Sequence, residues 1–200
     1  MAPTGRSRSV VFRFSALASF LLGLSAPLFL SSNNCVAQDS RPTESQVKAA
    51  YLYNFGKFVQ WPSGRAAISG AFQICILGRD PFGAVLDSTV NGESVDGKTI
   101  SVQRIHRVQD AAGCNILFIS SSEESRLATI LSEAGRMRLL TVSDIPHFAE
   151  RGGVIGLVSQ EDRIRFEVNR STAEESHLLL SSELLKVAIH VIQRKPRSRQ

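Results

Sequence analysis

Gly78-Arg79-Asp80-Pro81-Phe82-Gly83 stands where an apolar strand pattern over residues 72–77 gives way to a helical one. In an open α/β sheet such a junction lies at the carboxyl edge, where ligands bind, and the first amides of a helix can hold an anion. A purely structural account covers the same residues: Asp80 caps the helix, Pro81 takes its first position and Gly78 supplies the turn. The spacing is not that of a GxGxxG dinucleotide loop. No GxxxxGK[ST] loop and no GxSxG elbow is present. The four histidines, His106, His147, His177 and His190, do not pair with each other or with cysteine at ligand spacing. The residues therefore predict no catalytic set, no metal and no cofactor.

A second chemical candidate is YLYNFGKFVQWP, residues 51–62, which holds both tyrosines and the only tryptophan. On a helical projection Val47, Tyr51, Phe55 and Phe58 form one apolar line, while Ala49, Tyr53, Gly56, Lys57 and Gln60 face away. That is the pattern of a helix laid on a sheet. Only Lys48 and Lys57 lie near its polar back, too few cations for a membrane-surface helix. Asn54 falls within the stripe and needs partners there; it bonds to nearby backbone or addresses a ligand or partner.

The ends of the chain are read separately. Arg6, Arg8 and Arg13 precede an apolar run over residues 14–30 and a small, polar segment. This is the order of a secretory signal peptide, residues 1–37, cut after Ala37. No later stretch is long and apolar enough to span a bilayer, so the mature protein is expected to be exported, soluble and not stably inserted in a membrane. The formal charge of +5 loses three arginines with the signal. Residues 194–200 hold Arg194, Lys195, Arg197 and Arg199, and setting these aside leaves a slightly acidic body. The basic character belongs to the ends, which argues against nucleic acid. Cys75 and Cys114 remain in the mature chain, either bridged, as an oxidising compartment permits, or acting as small buried hydrophobes.

The elements that would position these residues alternate. Residues 45–60 read as a helix opened by a Thr43/Gln46 capping box and stopped by Pro62. Strands follow at 72–77, 99–105, 115–120 and 139–142, with helices at 82–90 and 123–133 and a short one at 146–150. Ser121/Glu124 and Ser171/Glu174 read as further capping boxes. Residues 151–169 read as an antiparallel hairpin and 173–193 as a broken helix. The prediction is a single α/β domain over residues 38–193. It has a mainly parallel central sheet with a C-terminal antiparallel hairpin at its edge, helices on both faces, and a frayed basic tail.

VKAAYLYNFGKFVQWP, ICILGRDPFG, CNILFIS, LLTVSD, FAERGGVIGLV, RIRFEVN and SSELLKVA occur in that order. Together they resemble the YfiR/HmsC-like family of exported bacterial proteins, from about residue 46 to residue 188. The resemblance implies a non-catalytic periplasmic regulator. Its expected partner is the periplasmic part of an inner-membrane diguanylate cyclase, which it represses, lowering cyclic-di-GMP and restraining biofilm formation. It also implies sequestration by an outer-membrane lipoprotein, and a homodimer. Some members carry a further cysteine pair near the Gly-Gly strand; this chain does not, which leaves only Cys75 and Cys114 to bridge. The partner- or ligand-binding candidates are Tyr53, Asn54 and Lys57 on the first helix, Arg79, Asp80 and Gly83 in the turn, and His147 and Arg151 in the loop over residues 144–153. The alternative is a periplasmic small-ligand sensor module acting with another membrane signalling protein.

Overall fold

A computed structural model describes residues 41–61 and 70–193. The expected signal peptide with its cut after Ala37, the helix stop at Pro62 and the basic tail lie outside the described residues.

Helix α1 (Glu44–Phe58) opens on the expected capping box. Thr43 Oγ1 accepts from the Gln46 amide at 3.3 Å, and Gln46 Oε1 accepts from the Thr43 amide at 2.7 Å. It ends two residues earlier than predicted, because Val59 is already extended and starts a strand. That strand, β1 (Val59–Gln60), later pairs antiparallel with residues 179 and 180. Then follow β2 (Phe72–Leu77), α2 (Ala84–Val90), β3 (Ser94–Val95), β4 (Lys98–Ile105), a 3-10 turn and β5 (Ile116–Ile119). The stretch read as a plain turn at residues 91–98 thus contains β3, which hairpins onto β4.

A second 3-10 turn leads into α3 (Leu127–Arg136) and β6 (Leu140–Ser143). The cap of that turn is Ser120, whose hydroxyl accepts from the Ser122 amide, one residue before the predicted capping box. Residues 146–150 form turns instead of a helix. The hairpin is β7 (Ile155–Gln160) with β8 (Arg163–Asn169). α4 (Arg170–Glu175) is capped by Asn169, not by Ser171.

The predicted C-terminal helix is broken further than expected. It becomes α4, β9 (Leu179–Leu180), α5 (Ser182–Val187) and β10 (His190–Ile192). β-Branched Ile189, Val191 and Ile192 favour the extended form there, and β8 offers an open edge to pair with.

The main sheet has the order β10-β8-β7-β6-β5-β2-β4-β3. Only the β7/β8 and β3/β4 pairs are antiparallel. The hairpin therefore lies inside the sheet, and β10, parallel to β8, is its outer strand. Helices cover both faces. Along β2 the side chains alternate: Ile74 and Ile76 join Leu52, Phe55, Phe118 and Phe166 on one face. Cys75 and Leu77 join Leu117, Leu127, Ile130 and Phe148 on the other. Burial on both sides explains why β2 and β5 read as unbroken apolar runs.

The predicted face of α1 is partly corrected. Its buried residues are Lys48, Ala49, Leu52, Phe55 and Gly56, whereas Phe58 is exposed and Tyr51 half-buried. The helix packs on more than the sheet. Gly56 must be small because an added Cβ would come within 3.0 Å of Val95 and 3.2 Å of Phe72. Phe55 makes an edge-on contact with Phe166, 5.2 Å between centroids. The buried arc is thus rotated toward α2 and β3, which a single-line projection does not anticipate.

Candidate functional site

The carboxyl ends of β2, β5 and β6 deliver residues 78–83, Ser120 with Ser122, and Asp144 to one rim of the parallel sheet. Gly78 has φ +89°, and a Cβ there would lie 2.5 Å from Ser122 Oγ, so the loops meet at van der Waals limits. The Arg79 amide donates to Ser122 Oγ at 2.9 Å. The start of α1 closes the rim from above, with Ser45 Oγ donating to the Pro81 carbonyl at 3.2 Å.

Asp80 does not cap α2; Gly83 stands at the cap with no side-chain bond. Asp80 has two other acceptor roles. Its Oδ1 takes the Phe82 amide at 2.7 Å, and its Oδ2 takes Arg104 Nε at 2.9 Å. Arg104 also reaches Asp87 with both terminal nitrogens and the Gly83 carbonyl at 2.9 Å. This fork ties β4 to the turn and to α2. The Asp87 hydrogen bonds, over a smaller opposing effect of desolvation, push the guanidinium upward; the Asp87 carboxyl is held below its ordinary range by the same bonds. Arg104 was not a predicted site residue. On an alternating strand it reads as an ordinary wet-face cation, and only the tertiary position of Asp80 and Asp87 makes it a clamp.

Between the start of α1, the loop after β6 and strands β7 and β8 lies a groove of about 480 Å³ whose lining includes Lys48, Asp144, His147, Gly156, Ser159 and Glu167. Lys48 is buried, contrary to its placement on the polar back of α1. Its Nζ lies 2.6 Å from Asp144 Oδ2 and 2.5 Å from Glu44 Oε1. Burial alone would lower its pKa, but the hydrogen bonds and charges of Asp144 and Glu44 outweigh it and the net shift is upward. With its ammonium spanned by two carboxylates, Lys48 is a structural cation and not a free base.

The predicted candidates separate into two places. Arg79, Asp80 and Gly83 share the rim with the loop that carries His147 and Arg151. His147 is exposed with its Nδ1 3.3 Å from Glu150 Oε2, and Arg151 Nη1 donates to Glu124 Oε1 at 2.8 Å. Tyr53, Asn54 and Lys57 are elsewhere. Tyr53, expected outside, is half-buried and its hydroxyl donates to Glu93. The Lys57 ammonium sits over its ring at 3.8 Å. Asn54 is exposed, outside the buried arc; the rotation of α1 toward α2 turns it to solvent. Cys75 and Cys114 are joined with Cα atoms 5.9 Å apart and both fully buried. They tie β2 to the start of β5. Among the described residues no three His, Cys, Asp or Glu side chains converge to hold a metal ion, and no helix is long and apolar enough to cross a membrane.

This sheet, with its rim of turns and its mid-chain disulfide, spans the region matched by one family pattern, YfiR/HmsC-like, over residues 45–189. The chain belongs to the YfiR/HmsC-like family. The family is periplasmic and regulatory rather than catalytic, and it is tied to cyclic-di-GMP signalling through a membrane diguanylate cyclase. No curated protein matches the sequence.

Among solved structures, a conserved domain protein from Vibrio cholerae O1 biovar El Tor aligns with TM-score 0.50 and 10% identity. The alignment covers 74% of this chain and 60% of that one. An ABC domain in complex with L-Trp from Streptococcus pneumoniae aligns with TM-score 0.45 and 13% identity, covering 64% and 57%. An open, ligand-free substrate-binding protein with adhesive properties from Clostridium difficile aligns at 0.45 and 10%, covering 62% and 55%. This chain therefore spans little more than half the length of these structures. The Vibrio cholerae likeness shows a shared fold.

Proposed function

We propose that this YfiR/HmsC-like protein, exported by a cleaved signal peptide, binds the periplasmic part of an inner-membrane diguanylate cyclase and represses it. The family match over residues 45–189 carries this reading. In it, cyclic-di-GMP falls, biofilm formation is restrained, and an outer-membrane lipoprotein relieves repression by sequestering the protein, which acts as a homodimer. Repression is a population shift: the protein changes the cyclase only by the difference in its affinity for the active and inactive states. The rim formed by Arg79, Asp80, Gly83, His147 and Arg151 is the first surface to test, and the face with Tyr53, Asn54 and Lys57 the second. Deleting the gene should raise cellular cyclic-di-GMP, and affinity capture from solubilised membranes should recover a cyclase with a periplasmic domain. Unchanged cyclic-di-GMP together with capture of no such membrane protein would overturn the proposal.

A second reading is favoured by the groove beside Lys48: a small-ligand sensor module acting with another membrane signalling protein. A thermal-shift screen of amino acids and nucleotides separates it, since a ligand at 100 times its Kd stabilises by about 2.7 kcal/mol.

A further inference from the structure

β6 and β7 run side by side only briefly. Their register pairs Val142 with Ile155 and Ser143 with Gly156. There β6 ends, while β7 runs on to Gln160. The end of β6 is set locally: Ser143 Oγ accepts the Ile145 amide at 3.0 Å, and Pro146 has no backbone N–H to offer a ladder. Along β7 the peptide groups alternate in direction. The Asn169 amide donates to the Val154 carbonyl at 2.8 Å, so residues 154, 156, 158 and 160 turn their backbone groups to β8. Residues 155, 157 and 159 turn theirs the other way, to the line along which β6 would have continued. From the Leu157 carbonyl to the Ser159 carbonyl this edge of β7 faces no strand.

It faces the groove of about 480 Å³ instead. Leu157 belongs to the core on the α1 side of the sheet, and Ser159 shares that side, while Gly156 and Val158 lie on the other. All four line the groove, which therefore straddles the free edge. An open edge is a template for a further strand. A peptide that adds there is held through its main chain, and side-chain contacts set which peptide is preferred.

Charge indicates that preference. The lining carries three carboxylates, Glu44, Asp144 and Glu167, against the single ammonium of Lys48. Lys48 is already held between Glu44 and Asp144, and the Nδ1 of His147 lies beside Glu150. Glu167 forms no ion pair among the described residues. An anionic ligand would meet no unpaired ammonium or guanidinium on this lining, whereas a cationic side chain would meet a carboxylate that still lacks a partner.

We infer that the groove binds an extended, basic peptide segment of a partner protein as an added strand on the free edge of β7, with a Lys or Arg side chain of the peptide turned to Glu167. The site stands whichever protein carries the peptide, so it goes beyond repression of a cyclase, and it assigns the groove to a peptide in place of a small ligand.

A phage-displayed library of linear peptides, selected on the protein purified as the cell exports it, tests the inference. The selected sequences should be enriched in Lys and Arg. The best of them, synthesised, should bind at least tenfold more tightly than its counterpart with Glu at the basic positions. Two further copies, N-methylated at odd or at even residues, keep the charges. One of the two should lose at least tenfold, because an added strand turns only alternate amides to its neighbour. Ser159→Pro removes an edge donor that β8 does not use and should also lose at least tenfold. Glu167→Gln should weaken binding and flatten its dependence on salt. Circular dichroism checks the fold of both variants, and the N-methylated copies need no change in the protein. Selection of no peptide above background, or of acidic peptides, overturns the inference. So does equal affinity for the peptide and both N-methylated copies. Lysine amide bound as tightly as the peptide, by wild type and Ser159→Pro alike, would assign the groove to a small ligand and overturn it. A dimer lost in Ser159→Pro without peptide binding to wild type would assign the edge to a second copy and overturn it equally.

Discussion

Lys48 Nζ sits 2.6 Å from Asp144 Oδ2 across a sequence separation of 96 residues. This bond fixes the first helix over the carboxyl end of β6 and forms one wall of the groove. The ammonium is buried and the Asp144 carboxylate is mostly covered, so neither can be fully compensated by water. Asp144→Asn should cost about 1–3 kcal/mol, as expected for a buried charge that loses a partner while Glu44 remains. Urea denaturation monitored by circular dichroism measures it. Because the Lys48 pKa is raised in the folded state, its contribution is complete below the unfolded value of 10.5 and is lost as pH climbs above that value. Wild type should therefore lose stability between pH 10.5 and more alkaline pH relative to Lys48→Met.

Arg104 is the second tie between distant elements, with Asp80, Asp87 and Gly83 as its acceptors. It is partly exposed, and solvent screening keeps its contribution modest. The shared, forked geometry places Arg104→Ala at about 1–2 kcal/mol, and Arg104→Lys should recover little of it. On the acid side the lowered Asp87 pKa gives stability that is present above the unfolded value of 3.8 and fades as pH falls through the lower folded value. Acid titration should show Asp87→Asn flattening that last part of the unfolding curve.

Gly153 tests the packing of the rim loop. An added Cβ would stand 2.0 Å from the Phe148 ring, itself fully buried. Gly153→Ala should cost about 3 kcal/mol, at the top of the overpacking range. Gly156→Ala meets its nearest atom only at 3.4 Å and should cost much less. Denaturant midpoints of the pair decide it.

The sulfur link between Cys75 and Cys114 closes a loop with a sequence separation of 39 residues. Loop-closure entropy for that length is about 4 kcal/mol. The Cys75→Ala/Cys114→Ala variant should lose about 2–4 kcal/mol, and wild type in excess dithiothreitol should approach the same midpoint once unfolded. Both sulfur-bearing residues are fully buried, so native protein should resist reduction until it opens. Thiol counting by mass spectrometry under native and denaturing conditions checks both statements.

How far the sequence carried the fold is clear from particular elements. β2 and β5 were legible because residues buried on both faces leave an uninterrupted apolar run. The Thr43/Gln46 cap was legible because capping is local. The face of α1 was not, since Ala49 and Gly56 are buried by α2, β3 and Phe72, and a projection of one helix contains no information about its neighbours. β10 was not, because residues 184–192 carry apolar spacing compatible with a helix, and only the free edge of β8 selects the strand. At the candidate site, the turn over residues 78–83 could be located from the strand-to-helix transition. The Asp80–Arg104–Asp87 clamp and the buried Lys48 depend on residues brought together only by the fold.

The pairing of β1 with β9 joins the two ends of the described domain. For a chain that enters its compartment amino-terminus first, this sets an order of events. Strand β1 emerges early but has no strand to pair with until residues 179–180 have followed, and such distant pairings are slow to form. The amino-terminal corner around β1 would thus stay open until nearly the whole domain has crossed, while β2 through β8 already have their partners. Closure would come as one late event, timed by the arrival of its last strands.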